Sequence, residues 1–463
     1  MSLSRSLAEY AHGLKTLPGP VVHAIRRHLL DGISNAVASS RRGVVAPAEE
    51  VARGLGGPSE ATLLGDEARI GAPAAALATG ALVHGFDFDD THADALVHAT
   101  AVVLPVALAV GEQVDASLDE LLLAAAAGYE TTLRLGAAVP HGFHARGFHA
   151  TSVVGVMGGT VVASRLLGVS VDVVVSALGI AGSRAAGSLE FLRSEASTKQ
   201  LHPGFAAMDA ILSTRLAAAG ATGPPTILEG EAGLFRLYTG RYVDPATVLE
   251  GLGARWELER ITIKPYPVCQ LSHAALDAAA TVLDRVDDPA RIRRVVVELP
   301  ADSVPIVAGP ASEKVQPLTT YQARFALPFC LAVLLTDGAI TIDDLGAAQL
   351  VRPDLQALAA RVEVRAVEVG VTAAAAPGVV TVELQDGHVL EGYVPVSRGG
   401  PARPMTDADL LAKATANLGG SGEDARRLAE DLLDPTGGGS VRDLVRRVND
   451  LARSERAHQG VGR

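Results

Sequence analysis

The chain has 463 residues, 48% of them hydrophobic, with two cysteines and a formal net charge of −12. That length exceeds one ordinary core and predicts about two to three domains. Two cysteines exclude a disulfide framework, a Cys-rich zinc site and an iron–sulfur cluster, and an acidic chain without a basic, aromatic-laced run argues against nucleic-acid binding.

The N-terminus, MSLSRSLAEYAHG, lacks the apolar core of a signal peptide and predicts a first amphipathic helix. No window reaches the roughly 18 to 20 unbroken apolar residues of a membrane span. The expectation is a cytoplasmic protein with no membrane partner. Apolar residues at helical spacing predict helices over 3–14 and 21–39, with Pro18 and Pro20 as punctuation between them. A short helix over 48–55 ends at Gly56-Gly57, and 61–70 reads as irregular.

The small, apolar stretches 72–83 and 99–110 predict two helices enclosing HGFDFDDTHADALVH, residues 84–98. That knot holds Asp87, Asp89, Asp90, Thr91, His84, His92 and His98. Buried polar groups are costly unless paired, so such a knot is kept either as a satisfied network or as a site. The structural alternative is a hydrogen-bonded turn with an aspartate capping the next helix.

Ser117 with Glu120 is a capping-box pattern opening a helix to about Ala138. A second knot, HGFHARGFH (141–149), leads into helices over 151–166 and 169–182. The polar stretch 185–204 forms a third knot and precedes a helix over 205–219. Within it, Lys199 sits beside Thr198, His202 and Pro203 at a helix start. A strand over 258–263 enters the fourth knot, KPYPVCQLSH (264–273), followed by a helix over 274–286 and a strand over 292–299.

Residues 321–335 read as one helix and 361–367 as a strand. Gln385-Asp386-Gly387 predicts a hairpin between strands 379–384 and 388–394. The helical pattern returns from Met405 to about Arg453, with a frayed tail after it. The fold class is therefore mainly α with an α+β second domain. The divisions are a helical body over 1–260, an α+β lid over 261–399, and a return to the body over 400–463.

No glycine pair follows a strand as GxGxxG or precedes Lys-Ser/Thr, so a nucleotide fold is unsupported. There is no HExxH, EF-hand loop or GxSxG elbow, although the Asp/His knots keep a metal-dependent hydrolase open as an alternative. Arg324 reads equally as an ion-pair partner or a carboxylate clamp, and Cys269 as a small buried side chain.

In order along the chain, HGFDFDDTH…H, HARGFHAT, SLEFLRSEASTKQLHPGFAA, GEAGLFRLY, KPYPVCQLSHAALDAA and YQARFALPF resemble motifs of the MmgE/PrpD family. That family includes 2-methylcitrate dehydratase, cis-aconitate decarboxylase and iminodisuccinate epimerase. The resemblance implies a helical domain, a smaller α+β lid, a homodimer, an active site between the two, and catalysis without metal or organic cofactor. It carries Asp87, His98, His149, Lys199 and Lys264 over as catalytic positions, and Thr91, His202, His273 and Tyr321 as substrate-binding positions. The chain departs from the family pattern at Ala99-Thr100, Ala150, Gln200 and Gln270, and before Thr198. These positions touch the substrate-reading rim. The Asp87–His98 spacing looks more like epimerase-type members than the decarboxylase type.

Members of that family act on carbons next to a carboxylate of a small anionic substrate. Proton abstraction there needs a base near neutral pKa and cations to hold the enolate-like charge, roles that His and Lys can fill. The expectation is a lyase or isomerase working by proton abstraction, with His149 and Lys264 leading as proton-transfer groups and Lys199 and His98 holding carboxylates. A dimer that has lost activity and serves as a binding protein is the other alternative.

Overall fold

A computed structural model describes residues 1–194, 196–434 and 438–454; the predicted frayed tail lies outside them. Long helices dominate the first half: Leu3–Gly13, Gly19–Arg41, Ala72–His84, Thr100–Val114, Leu118–Ala137, Ala150–Leu166, Val171–Arg184 and Thr198–Ala218. The Ser117–Glu120 capping box forms as the sequence predicts. One hydrophobic cluster joins these helices, from Leu3 to Ile263, to the returning helices Asp407–Asn417, Gly422–Leu433 and Val441–Ser454. Arg26 helps fix the return, donating to the carbonyls of Leu432 and Asp434 at 2.8 Å each. Among the described residues, no helix is long and apolar enough to cross a membrane.

A second cluster, from Tyr266 to Val394, gathers around a four-stranded sheet. Its strand order is Val362–Val367, Ile292–Pro300, Gly378–Leu384, Val389–Val394. The first pair is parallel and the others antiparallel. The hairpin at Asp386-Gly387 forms as expected, with Gly387 at φ 88° in the left-handed region an Asp-Gly turn requires.

Several boundaries differ from the sequence reading. The strand predicted over 258–263 is only Ile261–Thr262, preceded by a 3-10 turn over Glu257–Arg260. The segment read as irregular over 61–70 closes a two-residue pairing of Ala61–Thr62 with Arg69–Ile70. The helix expected over 321–335 is broken into Thr320–Ala323 and Leu327–Asp337. Pro328 explains the break: a proline near a helix start is tolerated, whereas in an interior it removes a hydrogen bond. The helix expected from Phe205 begins at Thr198, carrying Pro203 inside it. The 274–286 helix stops at Ala280.

Candidate active site

The Ala72–His84 and Thr198–Ala218 helices pack backbone to backbone through glycines. A Cβ on Gly204 would lie 2.2 Å from the Leu77 carbonyl oxygen, and one on Gly80 would lie 2.7 Å from Gly204 Cα. This contact brings the end of one helix, with the first knot, against the start of the other, with Lys199. A short antiparallel pairing, Thr91 with Thr262 and His92 with Ile261, brings the Lys264 segment to the same knot.

Asp87 is at the centre. It is fully buried with φ 52°, a backbone state that aspartate tolerates better than most residues. Its Oδ1 accepts from Lys199 Nζ at 2.6 Å and lies 3.2 Å from Lys264 Nζ. Lys264 Nζ also donates to the Asp87 carbonyl at 2.7 Å. Burial alone would push the Asp87 carboxyl up, but the two lysines, with His98 and His84, hold it well below the usual carboxylate range. Its Oδ2 is buried without a hydrogen-bond partner.

Three imidazoles stand beside this cluster. His84 Nδ1 is 2.9 Å from both oxygens of Asp89. His98 Nδ1 faces the Asp90 carbonyl at 2.8 Å and Thr91 Oγ1 at 3.1 Å. His149 Nδ1 meets His202 Nδ1 at 3.0 Å. The Nε2 atoms of His84 and His149 are buried and find no hydrogen-bond partner among the described residues. Burial, then Lys199 and neighbouring cations, pushes His98 and His149 well below the ordinary histidine range. A nitrogen from each of His84, His98 and His149 lies within 4.8 Å of the others, a donor set that could hold a metal ion.

Asp87, Thr91, His98, His149, Lys199 and Lys264 all line one narrow cavity of about 60 Å³. A wider cleft of about 620 Å³, lined by Asp94, Asp302 and Glu368 among others, holds neither lysine nor any of these three imidazoles.

Three sequence-selected residues do not line the cavity. His202 stands behind His149. His273 faces the Val268 carbonyl through Nε2 at 3.1 Å, tying down the turn after Lys264. Tyr321 packs on Phe325, ring centres 5.5 Å apart, with its hydroxyl buried and unpartnered. Among the described residues Arg324 forms no ion pair and does not line this cavity: it donates to the Pro267 carbonyl at 2.7 Å and lies over the Phe86 ring. The carboxylate beside the Thr100–Val114 helix start is Asp90, which accepts from Thr100 N at 3.3 Å.

The sequence reading left His144, Cys269 and Phe325 out of the site, yet all three line the cavity, as does the rim residue Gln270. It also missed Lys413. This buried lysine donates to the carbonyls of Phe88 at 2.8 Å and Lys264 at 2.9 Å, and its Nζ lies 2.6 Å from Asp31 Oδ1. A signal for Lys413 was available, because it shares a helical face with the buried Leu410, Ala414 and Asn417.

The family models for the MmgE/PrpD N-terminal and C-terminal domains match residues 5–244 and 266–434. The chain belongs to the MmgE/PrpD family. It is 29% identical to a cis-aconitate decarboxylase of Homo sapiens, over 97% of this chain and 92% of that one. It is 27% identical to a cis-aconitate decarboxylase of Aspergillus terreus, over 72% of each. It is 28% identical to the cis-aconitate decarboxylase-like protein oryM of Aspergillus oryzae, over 90% of this chain and 88% of that one. Two lysines, the carboxylates of Asp87 and Asp89, and the imidazoles of His84, His98 and His149 thus meet in one buried cluster.

Proposed function

We propose that this MmgE/PrpD protein is a lyase or isomerase that removes a proton α to a carboxylate of a small di- or tricarboxylate, without metal or organic cofactor. The observation that carries the reading is the unpartnered Nε2 of His149, with Nδ1 held by His202, in a buried cavity with Lys199 and Lys264. A base needs a free lone pair and an orienting partner, and His149 has both in the tautomer whose Nδ1–H donates to His202 Nδ1.

Lys264 is better assigned to holding charge than to proton removal, because its Nζ is engaged with Asp87, 3.2 Å from Oδ1 and donating to the carbonyl at 2.7 Å. In this mechanism His149 Nε2 takes the proton. The electron pair spreads onto the adjacent carboxylate as an enediolate, which Lys199 and Lys264 stabilise. Asp87 keeps those two cations in place, and Thr91 keeps His98 in its orientation. Epimerisation and dehydration would follow from the enediolate, by reprotonation on the other face or by expulsion of a protonated β-hydroxyl as water; decarboxylation of a β,γ-unsaturated acid would instead form the same enediolate as CO₂ leaves, and a proton would then be returned to it. The names of the relatives favour decarboxylation over the epimerisation suggested by the Asp87–His98 spacing.

The test is proton NMR in deuterated water with a panel of di- and tricarboxylates. Exchange at the α carbon is expected, and His149→Gln should slow it by about a hundredfold or more while binding persists. Tight binding with no exchange in the wild type would favour an inactive binding protein. The His84, His98 and His149 donor set gives a metal-dependent hydrolase a specific basis. Full exchange after exhaustive EDTA treatment is expected, and loss restored by one divalent ion would overturn the metal-free reading. The same reading includes a cytoplasmic homodimer. Phe205, Leu212 and Leu216 give the Thr198–Ala218 helix an exposed apolar face for a second copy. Sedimentation at micromolar concentration should give a dimer, and Leu212→Glu with Leu216→Glu should give a folded monomer. A wild-type monomer would count against the assembly.

A further inference from the structure

We infer that Gln270 reads a hydroxyl group on the substrate, and so sets a preference of this site for hydroxylated acids over their unhydroxylated counterparts. The inference rests on the reaction class proposed above and adds a specificity-determining residue to it.

Gln270 belongs to the lid and opens the 3-10 turn Gln270–Ser272 that follows the Lys264 segment. Three contacts fix the backbone around it. Arg324 donates to the Pro267 carbonyl at 2.7 Å, the Cys269 N–H donates to the Arg324 carbonyl at 2.9 Å, and His273 Nε2 faces the Val268 carbonyl at 3.1 Å. The turn is therefore held on both sides of Gln270 before any ligand arrives.

Gln270 is only 5% exposed and lines the same cavity as His149, Lys199 and Lys264. Its Nε2 lies 3.4 Å from Ser397 Oγ, a long contact. Its Oε1 is buried and finds no hydrogen-bond partner among the described residues. A buried acceptor without a donor is costly, and native proteins nearly always supply one. An ionised carboxylate accepts and does not donate, so the acid groups of a di- or tricarboxylate leave that oxygen unsatisfied. A hydroxyl donates to it. Because a hydroxyl also accepts, it is matched to either end of the amide.

Asp87 is an independent sign in the same direction. Its Oδ1 is engaged by Lys199 and Lys264, at 2.6 and 3.2 Å, while its buried Oδ2 has no donor among the described residues. The cavity lining thus combines two lysines, which suit the carboxylates of a substrate, with two acceptors that those carboxylates cannot satisfy.

The experiment is calorimetric binding, to the wild-type protein, of two sets of acids that differ by one hydroxyl: citrate against propane-1,2,3-tricarboxylate, and each enantiomer of malate against succinate. Citrate should bind about tenfold more tightly than its unhydroxylated partner, and one malate enantiomer should exceed succinate similarly, because the analogue lacking the hydroxyl leaves the amide unpaired. Gln270→Met and Gln270→Leu, apolar replacements of different shape, should bring these ratios close to one. A substitution that merely disturbed the turn would weaken both members of a pair alike and leave the ratio standing. Equal affinities within the wild-type pairs, as when a water satisfies the amide, overturn the inference, and so does a ratio that survives both substitutions. If the unhydroxylated acids then still exchange their α protons, the lyase or isomerase reading stands and only the role of Gln270 falls. If none of the acids binds, both fall together.

Discussion

Asp87 and Lys264 meet at contact range, and Lys413 sits behind them. Its ammonium bonds to backbone carbonyls on both sides of the active centre, Phe88 next to Asp87 and Lys264 itself. It lies 3.7 Å from the centre of the Phe88 ring and is ion-paired with Asp31. Lys413 does not itself line the cavity but holds the backbone of Lys264, which does, so its role is to position. Lys413→Met alone would leave Asp31 buried and unpaired, a loss of about 3–5 kcal/mol. Lys413→Met with Asp31→Asn removes that cost and isolates the positioning effect. The expectation for the double variant is a fall in the exchange rate of about tenfold or more with little change in substrate affinity, since misplacement of about 1 Å can cost as much as a hundredfold. Exchange at the wild-type rate in a folded double variant would refute the role.

At the level of elements, the sequence was most informative where periodicity and caps agree. The Leu118–Ala137 helix was readable from its capping box, and the Asp386-Gly387 hairpin from its turn. The helices around the first knot were readable from their small apolar runs. What could not be read depended on distant partners. Nothing local shows that Gly80 and Gly204 must meet, yet their contact sets how near Lys199 comes to Asp87. The Thr91–His92 pairing with Ile261–Thr262 joins residues far apart in the chain: the sequence offered a strand over 258–263, but nothing at Thr91–His92 marked its partner. Six residues singled out from motif order line the cavity, whereas His202, His273 and Tyr321 do not. Motifs mark which residues belong together; only packing separates those that face the cavity from those that brace it.

Over the whole molecule, the buried histidines make stability depend on pH. Burial is the largest cause in each case. It takes His144 and His273 down to about 3 and His202 to about 4, and His98 and His149 well below the ordinary range. In the unfolded chain these groups bind protons near pH 6.5. Below that pH the unfolded chain therefore holds protons that the folded chain refuses, and stability falls as pH falls. Asp31 opposes the trend. Burial raises it to about 6, against the pull of Lys413. Between pH 6 and the unfolded carboxyl value near 3.8, the folded form holds its extra proton and gains stability. One aspartate offsets one histidine and leaves the others uncompensated. Each uncompensated histidine contributes a slope of roughly 1.4 kcal/mol per pH unit once below 6.5. The melting temperature should therefore be nearly level from pH 8 to 7 and fall steadily from pH 6.5 to 5 at constant ionic strength. His273→Gln tests the cause, because an amide can still donate to the Val268 carbonyl but takes up no proton. That variant should melt with a shallower acid slope. A wild-type melting temperature that holds or rises between pH 6.5 and 5 would mean that the histidines are not kept neutral by the fold.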